Sequence, residues 1–349
     1  MGFNYDHHML LSTSSIDEES GTLVHLTQDL NYLENLLNLF NDTQLIAKSE
    51  RDEFSVHYSP SARYASLKST TTGKRVLLAL KRLRSLNPVK DEPREYHPTL
   101  TILRKLSDQY DISQYIAVTD NTPEAIALLA NRLNVFIREF RAKITTGPHK
   151  LKLRKYQKAA KKNLTGTLQY IDSLSAQYAR LLVVRVDLTY HKDAKAMITA
   201  DLARQHRQHF FKNLQAHRLF RACVGYIWKL EYGRYKGFHY HLLVFYDGAL
   251  VRQDVTLARL LGEYWRDVIT DGAGYYYNCN AYKERYRIPG IGMLHHTDAA
   301  KREGLNIAIN YLCKVDTFAR LVLPNSARTF GRGEIAQRSM ARRGRPRSP

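Results

Sequence analysis

Residues 222–231 and 238–246 are two runs of strand-forming residues flanking the short connection 233–237, and this hairpin restricts the fold more sharply than any other feature. Closed over that connection, it pairs Tyr232 with Phe238 and sets Glu231 directly opposite His239. His239 and His241 then share a face, because side chains two apart in a strand project the same way. Glu231 joins them, so one carboxylate and two imidazoles converge, a donor set that suits a divalent cation. The even-numbered face (Trp228, Leu230, Phe238, Tyr240, Leu242, Val244) is the apolar, core-directed one. A slip of one residue destroys the convergence. A pair of structural histidines competes with this reading: with 14 His in 349 residues, roughly half an H-x-H arises by chance. Context favours the metal, which removes the cost of burying such groups without a partner.

The surrounding texture extends the hairpin into a domain. The apolar, β-branched run 181–188 reads as a strand, 195–217 as a helix, 252–269 as a second helix, 274–282 and 289–295 as strands, and 300–319 as a helix. That order is the one of an α+β, ferredoxin-like (RRM-like) antiparallel sheet with helices. Upstream, Leu26, Leu30, Leu33, Leu37 and Phe40 mark a helix over 26–48, and Ile126, Leu129, Leu133 and Phe136 mark another at about 123–143. The expected organisation is a disordered stretch 1–22, a mostly helical accessory region 23–148, a basic linker or helix 149–177, a compact domain 178–335 and a disordered basic tail 336–349.

A formal net charge of +20, from 53 Lys+Arg against 33 Asp+Glu, points to a polyanionic partner, nucleic acid first. Seven of the thirteen residues 150–162 are Lys or Arg, and Arg154, Lys155, Lys158, Lys161 and Lys162 are candidates to grip phosphates, although a solvated face looks the same. No segment approaches a membrane span, the N-terminus lacks the pattern of a signal peptide, and the three cysteines form no paired spacing. The expectation is a cytoplasmic protein with no membrane partner.

Two further features carry chemistry. Tyr311 and Lys314 are three apart on the helix 300–319, with Tyr311 at the margin of the apolar stripe Leu305, Ala308, Ile309, Leu312 and Val315, anchored by the core yet able to reach a cleft. A tyrosine at a core edge would look alike. Asp187 and Thr189, in the segment VDLTY, are candidates for DNA contact or the metal shell, against the plainer reading of a strand end. Tyr275, Tyr276 and Tyr277 could stack on bases or cover a sheet. His295-His296 is an auxiliary-ligand candidate, although neighbours in a strand face opposite ways. Thr72-Gly73-Lys74-Arg75 lacks the flanking residues of a phosphate-binding P-loop.

VDLTY, then a glutamate before H-Y-H on a strand, then a helical Y-x-x-K, in that order, resembles the HUH endonucleases. Within them the spacing is most similar to the filamentous-phage (inovirus) gene-two-type replication initiators and the related YagK/YfjJ C-terminal domain, over roughly residues 178–335. The resemblance implies His239 and His241 as metal ligands with Glu231 as the third, Mg²⁺ or Mn²⁺ as the ion, Tyr311 as nucleophile and Lys314 as the motif lysine. Ile307 stands four residues before Tyr311, which points to a one-tyrosine enzyme. The implied activity is rolling-circle initiation by nicking single-stranded origin DNA through a 5′-phosphotyrosine, in a bacterial host whose replication proteins are further possible partners. The alternatives are a non-catalytic, prophage-derived DNA-binding regulator, or a transposase or relaxase of the same chemistry.

Overall fold

In the computed structural model the residues described are 14–16, 23–25, 27–61, 63–86, 94–112, 120–212, 217–233, 236–314, 319–323 and 327–334. They are a mixture of helices and antiparallel sheets, an α+β architecture. The chain divides into two compact units, Met1–Lys162 with Cys313–Ala327, and Asn163–Leu312 with Arg328–Pro349. The division therefore cuts a continuous helix at 162/163, where the sequence suggests boundaries at 148 and 177.

The first unit begins with a small strand pair, β1 (Ser14–Ile16) and β2 (Leu23–His25), inside and just after the stretch read as disordered. Helix α1 (Thr27–Ile46) follows; Leu26 lies outside the described residues, as do the side chains of Leu30 and Leu33. A hairpin unforeseen in the sequence, β3 (Phe54–Tyr58) and β4 (Ala65–Ser69), leads into α2 (Thr71–Ser85). Asn134 ties β3 down: its side chain accepts from the backbone N–H of Glu53 and Phe54 at 3.0 Å each and donates to Phe54 O at 2.8 Å. Next come β5 (Arg94–Tyr96), α3 (Pro98–Gln109), α4 (Pro123–Thr145) and α5 (Gly147–Gln177). Ile126, Leu133 and Phe136 are buried as the periodicity of α4 requires, with Leu129 half-buried.

In the second unit β6 (Arg180–Tyr190) is followed by α6 (Ala200–Lys212), β7 (Cys223–Gly233), β8 (Gly237–Asp247), α7 (Asp254–Glu263), β9 (Gly274–Asn278), β10 (Gly292–His295) and α8 (Ala299–Lys314). Among the described residues the helix read over 195–217 is α-helical from 200 to 212, after a 3-10 turn at Lys195–Met197, and Thr199 Oγ1 accepts from Leu202 N at its start. The helix read over 252–269 changes to π-helical winding at Tyr264–Ile269. Strands β9 and β10 are shorter than the stretches 274–282 and 289–295. The helix read over 300–319 is described to Lys314; Val315 lies outside the described residues and Ala319–Leu321 is a strand, β11, paired with β5 of the first unit. A last strand, β12 (Phe330–Arg332), pairs with β7, and the basic tail lies outside the described residues.

The main sheet has β8 at its centre, antiparallel to β7 on one side and β6 on the other, with β9 and β10 sharing the far edge of β6. β10 pairs with Arg180–Val183 and β9 with Val186–Tyr190. Asn280 fills the gap between them, accepting from Arg185 N at 2.8 Å and donating to Val183 O at 3.1 Å, as a strand backbone would. Both faces of this sheet are covered. On the even-numbered face Arg207 lies over Trp228, 3.9 Å from the ring centroid, and Phe210 and Trp265 pack near Tyr240. On the odd-numbered face Tyr170 and Leu174 of α5 close on Gly225, where any Cβ would meet the Tyr170 hydroxyl at 2.4 Å. Among the described residues no helix is long and apolar enough to cross a membrane.

Candidate metal centre

The hairpin register is the one its sequence requires: Tyr232 opposes Phe238, Glu231 opposes His239 and Lys229 opposes His241. Glu231, His239 and His241 consequently meet on the odd-numbered face, each offering a ligand atom within 4.8 Å of the others. Glu231 Oε2 lies 3.8 Å from His239 Nε2 and 3.6 Å from His241 Nε2. These gaps exceed a hydrogen bond but fall within about 1 Å of the ligand–ligand spacing around a cation with roughly 2.1 Å bonds. Glu231 Oε1 and His241 Nε2 are buried without a hydrogen-bond partner. Buried polar atoms seldom stay unmet, so these fit a cation and a further oxygen ligand.

Each imidazole is held from behind. His239 Nδ1 is 3.1 Å from Gly237 O, which orients Nε2 toward Glu231. His241 Nδ1 is 2.9 Å from Asp187 Oδ1, short of the alignment of a full hydrogen bond. The rings stand 5.2 Å apart and nearly perpendicular, at 88°.

The electrostatics follow from burial and neighbours. Burial, with the charges of His241 and Lys236 added, pushes His239 down to about 3, so its imidazole is neutral and can donate a lone pair. Burial alone would raise Glu231, but the charges of His241, His239 and Lys229 outweigh it and hold the carboxyl at about 2. Burial is likewise overcome at His241, where Asp187 and Glu231 raise the imidazole above its ordinary value. Asp187 is held well below the carboxylate range by Arg185 and His241 against its burial.

Arg302 of helix α8 reaches Asp172 at 2.6 Å and Ser175 at 3.2 Å on α5, the helix that closes on Gly225. Gly304 and Leu305 of α8 also pack against the backbone of 288–290, just beyond the buried Tyr286. Leu305, Ala308, Ile309 and Leu312 form the buried stripe, and Tyr311 is half-buried at its margin. Lys314 ends the helix, with its side chain outside the described residues.

The other candidates separate clearly. Arg154, Lys155, Lys158, Lys161 and Lys162 are all exposed on α5, in the first unit. Asp187 is buried beside His241, whereas Thr189 is half-buried and its carbonyl accepts from Trp265 Nε1 at 2.9 Å. Tyr276 rests on Gly262, Tyr277 is buried and Tyr275 packs by His191. His295 and His296 are exposed, and neither joins the Glu231 cluster. Sequence reading missed Arg185, Lys229 and Lys236, all buried; for Arg185 and Lys229 an ionic residue inside an apolar strand run was the available signal.

A sheet of this kind, carrying one carboxylate and two imidazoles around a common point, defines an α+β protein with a candidate divalent-cation site. The chain belongs to the YagK/YfjJ C-terminal domain family, whose family model matches residues 142–333. No curated protein and no solved structure matches it.

Proposed function

We propose that this protein nicks single-stranded DNA as an HUH-type, one-tyrosine replication initiator. The convergence of Glu231, His239 and His241 on one face of the sheet carries this reading. The strand order, with β9 and β10 beside β6, then β8, then β7, supports a ferredoxin-like core. The two histidines and Glu231 would hold Mg²⁺ or Mn²⁺, which when bound supplies Lewis-acid polarisation of the scissile phosphate.

The chain's own residues do the rest. Tyr311 attacks phosphorus through its phenolic oxygen, the bond from phosphorus to the 3′ oxygen breaks, and that oxygen leaves as a 3′-hydroxyl after taking a proton. The product is a 5′-phosphotyrosine, with one phosphodiester exchanged for another, so rejoining needs no nucleotide energy. A tyrosine hydroxyl with an ordinary pKa near ~10 is a weak nucleophile at neutral pH, and Lys314 would stabilise its phenolate. The exposed cations of α5 suit the sugar-phosphate backbone of origin DNA.

The test is incubation of the full chain with origin-like single-stranded oligonucleotides and Mn²⁺, followed by denaturing electrophoresis. The wild type forms a covalent adduct and leaves a free 3′-hydroxyl, while Tyr311→Phe lowers adduct formation by about 1000-fold or more. An adduct that persists in Tyr311→Phe, or none on any such substrate, sinks the proposal.

A further inference from the structure

Asp187 stands directly opposite His241 across the β6–β8 pairing, so their side chains share the odd-numbered face. Its Oδ1 is 2.9 Å from His241 Nδ1, the ring atom turned away from Glu231. Arg185, two residues earlier on the same strand, brings Nε within 3.3 Å of Asp187 Oδ1 and Nη2 within 3.3 Å of Oδ2. This two-point grip leaves the carboxylate little freedom to rotate. The side chains of Arg185 and Asp187 are 4% and 10% exposed, so the pair cannot turn outward without giving up a buried partnership. Asn280 in turn bonds the backbone N–H of Arg185 and fixes the strand beneath both.

We infer that Asp187 is a positioning residue for the metal centre, one that holds the His241 proton on Nδ1 and leaves the Nε2 lone pair facing Glu231. The inference rests on the metal-centre reading above and adds a role for a residue that is not itself a ligand. The tautomer of an imidazole follows the partner of its other nitrogen, and a carboxylate there also raises the ring's strength as a ligand. His239 is set the same way by the carbonyl of Gly237. The two rings thus present the same nitrogen by two devices, of which a side-chain substitution reaches only the one at Asp187. Arg185 serves the carboxylate, keeping it aimed at His241.

Asp187→Asn keeps the shape, removes the charge and lets an amide N–H face His241. Mn²⁺ affinity of the full chain, followed by the free-ion electron paramagnetic resonance signal, is expected to fall 10–100-fold. Nitrogen-15 histidine spectra of the Mg²⁺-loaded protein are expected to show the His241 proton on Nδ1 in the wild type and its loss or displacement in the variant. That signature separates positioning from a mere loss of fold stability, and near-ultraviolet circular dichroism confirms that the variant is folded. A variant that binds Mn²⁺ as tightly as the wild type, with its His241 proton still on Nδ1, overturns the role of Asp187 and leaves the centre standing. Failure of the wild type itself to bind Mn²⁺ overturns the metal centre.

Discussion

The exposed arc of α5 from 154 to 162 and the odd-numbered face of the main sheet treat charge in opposite ways. In the second, Arg185, Asp187, Lys229, Lys236 and the histidines lie buried on one sheet face, with Glu231 largely so. In the first, Arg154, Lys155, Lys158, Lys161 and Lys162 stand in water along one arc of α5, while Tyr156 faces inward. Buried charges persist only with fixed partners, so their geometry is specific and suits chemistry at one atom. Exposed cations keep their hydration, act through a field screened over roughly 8–10 Å and suit a repeating polyanion. Under the proposed function, reaction and grip would fall on different surfaces.

The largest test of that contrast is Glu231→Ala, which removes the carboxylate of the cluster. Mn²⁺ affinity should fall by about 100-fold or more, beyond the loss from an outer partner, as measured by titration calorimetry. Retained affinity would dissolve the distinction between a chemical and a gripping surface. A smaller effect is expected on replacing the five α5 cations by glutamine. The slope of log affinity for single-stranded DNA against log salt should flatten by up to about 3.5, near 0.7 for each phosphate no longer neutralised, with Mn²⁺ affinity unchanged. A steep slope in that variant would move the grip elsewhere.

The smallest effect concerns the interior of the first unit. His97 caps α3 through Nδ1, packs edge-on against Phe40 and Tyr156, and is pushed down to about 4 by burial and then by His149. A histidine whose folded pKa lies below its unfolded 6.5 stabilises above pH 6.5, and that contribution is lost as pH falls toward about 4, because the unfolded chain takes the proton first. Melting of the wild type should lose on the order of 1–2 kcal/mol between pH 7 and 5, and His97→Gln should flatten that dependence. An equal slope in the variant would leave the acid sensitivity to other groups.

Much of the site was legible because it is local. Strict alternation around a five-residue connection leaves one register that buries Trp228, Leu230 and Tyr240 together, and that register carries Glu231 to His239. The stripe of α8 was legible for the same reason, at helical period. The β3–β4 hairpin was not, since FSVHY and ASLKS are short and rich in serine, and their pairing is secured by Asn134 from about 80 residues away. Nor was the burial of Arg185, Lys229 and Lys236 beside the histidines, which makes this face a buried polar one.

The amino-acid order by itself determined the hairpin, the donor set and the excess of positive charge, since each depends on neighbours within a few residues or on composition alone. The tertiary structure decided that β6 lies beside β8, and so brought Asp187 and Arg185 behind His241 across more than fifty residues of chain. It also decided that the 313–327 segment returns to the first unit. Strand neighbours and unit membership are settled by which surfaces bury each other best, a property of the whole packed chain that no local period records.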